Sequence, residues 1–273
     1  MTGISIRFWG VGGSMPARAS RRHVFGVQTC CFEIRAGHQR LIIDAGTGIA
    51  DLGHSLADDG ATALEILLTH CHWDHIFGLT GFSPIFTSGQ KINLRFATLS
   101  GESPEDVLDA LFKPPYFPLA PGDLRSTISL QTIAPAIPFT LDTLTVRPIA
   151  LNHPNGASGF RIDSSGAAIA IITDHEHGVR AIDDEIIKLC ANVDLLIYDA
   201  MWDGDVDYQA HRGWGHSTWQ AGLDILRQAG GKRLVCVHHD PRLSDEDLSA
   251  RERRLKSEHP DSLFAREGMT LTT

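Results

Sequence analysis

The chain has 273 residues, with 24 Lys and Arg against 33 Asp and Glu and a formal net charge of −9. That acidic balance argues against a long nucleic-acid partner, whose binding rests on phosphate neutralisation by basic surface. No run reaches transmembrane length and no charged, apolar leader opens the chain, so a cytoplasmic protein without a membrane partner is expected.

In chain order, residues 4–9, 31–35 and 41–44 read as opening strands. Residues 48–57 read as a helix, and 64–69 as a strand. A helix is expected over 104–111, with Ser103 as its N-cap. Strands near 128–131 and 144–148 restart the pattern. Residues 183–190 form an amphipathic helix. Another spans 217–228, opened by the box Ser217-Thr218-Trp219-Gln220 and closed by Gly230-Gly231. A charged surface helix over 245–257 and a strand near 269–271 complete the set. Strands lead each half and helices intersperse, which predicts two packed sheets with helices on both outer faces. No linker or repeat divides residues 1–273, so one domain is expected. The five cysteines, Cys30, Cys31, Cys71, Cys190 and Cys236, are odd in number and lack a C-x-x-C pair, which predicts reduced thiols.

The strongest signal is Thr69-His70-Cys71-His72-Trp73-Asp74-His75, directly after the apolar run Ile66-Leu67-Leu68. Imidazole and carboxylate at this density suit a divalent metal, with zinc foremost and manganese or iron as alternatives. Other apolar runs also end in Asp or His, at Asp44, His153, Asp174, Asp199 and His238. Short Ile/Leu/Val runs flanked by Gly or Asn read as buried strands. Layered α/β folds gather their sites at strand ends, so these termini predict one polar site built from most of a sheet.

With these motifs in view, the chain resembles the metallo-β-lactamase superfamily, and within it the ribonuclease-Z-like phosphodiesterase branch. The resemblance rests on Gly10-Val11-Gly12-Gly13-Ser14, Asp44-Ala45-Gly46-Thr47-Gly48, the His70 cluster, Asn152-His153-Pro154, Thr173-Asp174, His216-Ser217-Thr218 and Val237-His238. It implies an α/β fold, the αββα sandwich of two mixed sheets with helices on both outer faces. It implies two metals, one on His70, His72 and His153, the other on Asp74, His75 and His238, with Asp174 bridging them beside a shared water or hydroxide. Asp74 and His216 are the implied catalytic residues, His216 at the family's position for a proton donor. Asp44 and Asp199 are implied supports behind the ligands. Rivals remain on the residues alone: His239 for His238, His175 or His177 beside Asp174, Asp199 for the bridge, and Cys71 as a thiolate.

The implied activity is metal-dependent hydrolysis of small phosphodiesters, cyclic nucleotides included. Two divalent cations outweigh the carboxylates and hydroxide, so the site attracts an anion. Members that process tRNA carry a long arm between the positions of His153 and Asp174. Residues 154–173 are too few for one. A thioester or lactone hydrolase, a tRNA 3′-processing-like nuclease and a non-enzymatic metal-dependent sensor are the alternatives, and homodimer formation is left open. Arg18 and Arg21, on a basic loop that also holds Arg22, and Tyr116, on the stiff 113–118 loop, are the candidate substrate contacts.

Overall fold

A computed structural model describes residues 3–56, 60–97, 99, 101 and 103–273. Among these residues the strands are β1 (Ser5–Gly10), β2 (Cys31–Ala36), β3 (Gln39–Ile43), β4 (Ala63–Leu67), β5 (Lys91–Phe96), β6 (Thr127–Thr132), β7 (Phe139–Leu141), β8 (Leu144–Leu151), β9 (Ala157–Ser164), β10 (Ala167–Ile172), β11 (Leu195–Asp199), β12 (Leu234–Val237), β13 (Leu263–Phe264) and β14 (Thr270–Thr272). The helices are α1 (Ile49–Ser55), α2 (Trp73–Ile76), α3 (Pro104–Leu111), α4 (Arg180–Leu189), α5 (Gly204–Ala210), α6 (Trp219–Ala229) and α7 (Asp245–Glu258).

Two sheets result, ordered β14-β1-β2-β3-β4-β5-β6 and β13-β12-β11-β10-β9-β8-β7. Each is antiparallel at one end and parallel at the other. The parallel part runs from β3 to β6 in the first sheet and from β10 to β13 in the second.

The near-continuous apolar runs follow from burial on both faces. Side chains alternate along a strand. Ile169, Ile171, Ile197 and Val235 therefore enter the layer between the sheets, where they meet Phe8, Phe32, Ile34 and Ile43. Their neighbours Ala170, Ile172, Leu196 and Leu234 face outward and pack under Ile186 of α4, Leu223 and Leu226 of α6, and Leu248 and Leu255 of α7. The first sheet does the same, with Ile42, Ile66 and Leu94 beneath Ile49 and Leu52 of α1 and Val107 and Leu111 of α3. Each such side chain contributes about 1.5–3 kcal/mol through burial.

The parallel strands place several chain exits along one edge. Asp44, Asp174 and His238 follow β3, β10 and β12, each in the left-handed region with φ of 62°, 58° and 59°. This region is unusual for residues other than Gly, and it clusters at functional sites.

Several boundaries differ from expectation. The helix expected over 48–57 spans Ile49–Ser55, and Ala57 lies outside the described residues. Ser103 caps α3 as expected, in a reciprocal box with Asp106. Helix α6 is capped by Thr218, whose hydroxyl accepts from the Ala221 N–H at 3.2 Å, and not by Ser217. The Ser217 hydroxyl is occupied by His177 Nδ1 at 2.7 Å and the Tyr198 hydroxyl at 3.0 Å. No described helix is long and apolar enough to cross a membrane.

Candidate metal centre

His70, His72, Asp74 and His75 leave β4 through α2, while His153, Asp174 and His238 come from the second sheet. Ligand atoms of His70, His72 and His153 lie within 4.8 Å of one another, and so do those of Asp74, His75, Asp174 and His238. Asp74 Oδ2 is 3.3 Å from His75 Nε2 and 3.2 Å from His238 Nε2. Asp174 Oδ2 is 3.2 Å from His75 Nε2, and its Oδ1 is 3.1 Å from His238 Nε2. The same Oδ1 lies 3.9 Å from the Nε2 atoms of both His70 and His153. Asp174 therefore stands between the two sets.

The far nitrogen of three of the rings is already engaged, whereas His238 Nδ1 is buried without a hydrogen-bond partner. His75 Nδ1 is 2.8 Å from Asp44 Oδ2, His70 Nδ1 is 3.0 Å from the Thr69 hydroxyl, and His153 Nδ1 donates to Gly215 O at 2.8 Å. Such partners fix the ring and aim its other nitrogen at a metal. That other nitrogen is orphaned in two cases: the buried Nε2 atoms of His70 and His75 make no well-formed hydrogen bond. Buried polar atoms seldom stay unpaired, so the donor set fits a divalent cation. His72 contributes its Nδ1, which lies 3.1 Å from His153 Nε2.

The charges agree with this fit. Burial holds His70 well below its ordinary pKa and brings His153 down to about 4, so both rings keep a free electron pair. Burial opposes charge on Asp74 and Asp174, but His75 and His238 overcome it and keep both carboxylates ionised far below the usual range. Burial likewise opposes charge on His75 and His238, yet the carboxylates Asp174 and Asp74 prevail; His75 is raised well up and His238 to about 10. The raised basicity reports a concentration of negative charge that a cation neutralises.

Asp199 and His216 form a unit beside this set. Asp199 Oδ2 is 2.8 Å from His216 Nδ1 and accepts the Asp174 N–H at 3.1 Å. Its Oδ1 accepts the Met201 N–H at 3.0 Å. Asp174, Asp199, His216 and His238 also converge within 4.8 Å. Both oxygens of Asp199 thus accept from nearby donors, whereas the Nε2 atoms of His70 and His75 are orphaned.

The other rivals point elsewhere. His239 Nε2 donates to Ala265 O at 2.9 Å and its ring lies on Phe264. His175 Nε2 meets Asp183 Oδ1 at 3.0 Å, and the His177 ring stacks on Tyr208 at 4.1 Å. Cys71 joins neither ligand set among the described residues.

The expected substrate contacts lie apart from the ligand set. Arg21 donates to Arg242 O at 2.9 Å, and buried Arg22 donates to Leu243 O at 2.9 Å and to Asp240 O. This loop fastens residues 240–243, while Arg18 is exposed. Tyr116 is 86% exposed, and Phe117 packs the 113–118 loop on Phe112 at 5.1 Å. Among the described residues, no contact joins Arg18, Arg21 or Tyr116 to the ligand set.

Sequence reasoning missed three supports. The Ser14 N–H donates to Asp74 Oδ2 at 2.7 Å. A Cβ on Gly13 would stand 2.2 Å from the His238 ring, and one on Gly215 2.2 Å from His153 Nδ1. Glu176 accepts the N–H groups of Gly213 at 2.9 Å and Gly215 at 2.8 Å, which holds the loop carrying both Gly215 O and His216. The local signals were the Gly12-Gly13-Ser14 motif, which carried the resemblance without a stated role, and the glycines at 213 and 215.

Two packed mixed sheets under outer helices, with this His/Asp centre at the strand exits, define a metallo-β-lactamase-fold hydrolase. A family model described as the beta-lactamase superfamily domain matches residues 39–239, and the chain belongs to that family. Ribonuclease Z of Picrophilus torridus is 23% identical over 308 residues, covering 96% of this chain and 93% of that protein. The crystal structure of human tRNase Z, short form, superposes with a TM-score of 0.70 at 22% identity, covering 98% of each chain. A diphosphatase from the PhnP family gives a TM-score of 0.70 at 18% identity over 98% of this chain and 97% of the other.

Proposed function

We propose that this chain is a two-metal phosphodiesterase acting on small phosphodiesters, with zinc as the preferred ion. The observation that carries the reading is Asp174, whose Oδ1 faces His70 and His153 while both its oxygens face the Asp74/His75/His238 set. Divalent ions held there supply Lewis acidity and lower the pKa of bound water.

The chain's own residues supply the rest. Asp44, Thr69 and Gly215 O keep the ligand rings in fixed orientation. Asp199 takes His216 Nδ1, so Nε2 is left to hold a proton for the departing oxygen. The His216 ring stacks on His238 at 4.6 Å and meets His153 edge-on at 5.3 Å, which keeps it beside the ligands.

Residues 154–173 support a small substrate. They are taken up by the hairpin of β9 and β10, paired from Ala167 with Ser164 onward, and no arm projects between them. The curated relatives named ribonuclease Z favour the second reading, RNA cleavage. Metal analysis together with parallel assays on a chromogenic phosphodiester and a precursor tRNA separates the two. About two metals per chain and turnover of the small diester are expected. Efficient maturation of precursor tRNA, with the small diester left intact, refutes the proposal.

A further inference from the structure

The wall of the site formed by Asp74 opens onto an apolar recess that the ligand chemistry does not use. Ser14, Met15, Pro16, Thr29, Thr47, Trp73, Asp74 and Phe77 enclose about 480 Å³. That volume falls within the range of small-molecule pockets. Met15, Trp73 and Phe77 are 67%, 59% and 53% exposed, although Ile76 and Leu79 on the same segment are buried in the core. Trp73 and Phe77 are four residues apart, so α2 and the turn after it present them side by side. Exposing two aromatic rings and a methionine forgoes burial energy that the neighbouring side chains realise.

The floor of the recess is polar. The Thr29 N–H donates to the Thr47 hydroxyl at 3.0 Å, and the Thr47 N–H donates to the Thr29 hydroxyl at 2.8 Å. The two hydroxyls are 3.5 Å apart, so at most one spends its proton on the other. The single formal charge in the lining is Asp74, which repels an anion from the recess itself. The occupant is therefore not an anion, and the aromatic walls favour a flat group with a polar edge. Because Asp74 Oδ2 also belongs to the ligand cluster, the recess adjoins the place that a phosphate at the metals would take.

We propose that this recess selects substrates, taking an aromatic ring, aryl or nucleobase, borne by the phosphate at the metal centre. Trp73 and Phe77 stack on it and the hydroxyl of half-buried Thr47 meets its edge. The inference rests on the phosphodiesterase reading, and binding is tested apart from turnover. Calorimetry on the metal-loaded protein compares phenylphosphonate with methylphosphonate, and adenosine monophosphate with ribose 5-phosphate. The ring-bearing member of at least one pair is expected to bind on the order of 10-fold tighter, from stacking. Trp73→Ala removes most of that preference, and Phe77→Ala removes part of it. The pair with the larger preference tells an aryl ring from a nucleobase. If the preference is present and no phosphodiester is hydrolysed, the recess stands and the phosphodiesterase reading falls. Equal binding within both pairs in the wild type overturns the recess, as does a preference that survives both substitutions. A variant whose mass by sedimentation falls to half, with its preference intact, assigns the face to a second copy of the chain and also overturns it.

Discussion

Asp44→Asn isolates the support behind the ligands from the ligands themselves. Asp44 is fully buried, with Oδ2 2.8 Å from His75 Nδ1 and Oδ1 2.7 Å from the Thr69 N–H. The Thr69 hydroxyl lies 3.0 Å from each oxygen. Asparagine has the same shape and tolerates the left-handed φ of 62°, so backbone strain is not added. What changes is chemistry: a carboxylate accepts at both oxygens, whereas the amide presents a donor on one side. Either the Thr69 N–H or His75 Nδ1 then faces an N–H group. Loss of such a partner weakens metal binding by about 10- to 100-fold, equivalent to about 1.4–2.7 kcal/mol. The buried unpaired donor costs about 1–3 kcal/mol of fold stability in addition. Chelator competition for zinc reads the first quantity and urea unfolding of the metal-free protein reads the second. A folded Asp44→Asn protein with wild-type zinc affinity refutes the reasoning, because it shows that His75 needs no oriented partner.

His216→Ala is expected to lower kcat on the order of 10²–10⁴-fold for diesters with alkyl or nucleoside leaving groups. The loss should be much smaller for nitrophenyl esters, and bound metal should not change; an equal loss for both esters, read by parallel assays, removes the proton-donor role. Gly13→Ala drives a methyl into the His238 ring, so zinc affinity in a chelator titration should drop while the folded content by circular dichroism holds; unchanged affinity means that the ring yields without cost. Asp203 is held below its ordinary pKa: half-burial pushes it up, but Arg254, Gln220, Arg251 and Trp219 outweigh that push. Its contribution is therefore present above the unfolded carboxyl range, near pH 4, and is lost as pH falls through the lower folded value. The stability gap between wild type and Asp203→Asn in urea should thus shrink as the pH drops below about 4; a gap that stays constant with pH rules out the charge as its origin.

The candidate ligand set was legible because much of it is written locally. His70, His72, Asp74 and His75 share one short segment, and Asp174 and His238 end apolar runs whose alternation also defines the strands. What places them together, the parallel arrangement of β3–β4 and β10–β12, is seen in the structure; the family resemblance implied two mixed sheets, and spacing alone implied neither. The substrate side was less legible for a different reason. Arg21 and Arg22 look like free cations in sequence, but their partners are backbone carbonyls near residue 242, more than 200 positions away. Tyr116 lies on a conspicuous Pro-rich loop, whereas Trp73 was hidden inside the metal motif, where its neighbours drew the interpretation. The cap of α6 slipped by one residue because Ser217 has partners in two other segments, which no local capping rule can register.

The division of ligands between the sheets has a mechanical meaning. His70, His72, Asp74 and His75 leave the first sheet, whereas His153, Asp174 and His238 leave the second, and beside them backbone bonds already cross between the sheets: the His239 N–H donates to Val11 O at 3.0 Å, and the Ser158 N–H donates to Thr69 O at 2.8 Å. An ion gripped from both sides would be one more rivet at that edge. It would tie the early part of the chain to the late part, and its binding energy would add to the resistance of the two sheets to being parted. Stripping such an ion would therefore do more than silence the chemistry: it would take one fastening out of the rim that joins the two leaves.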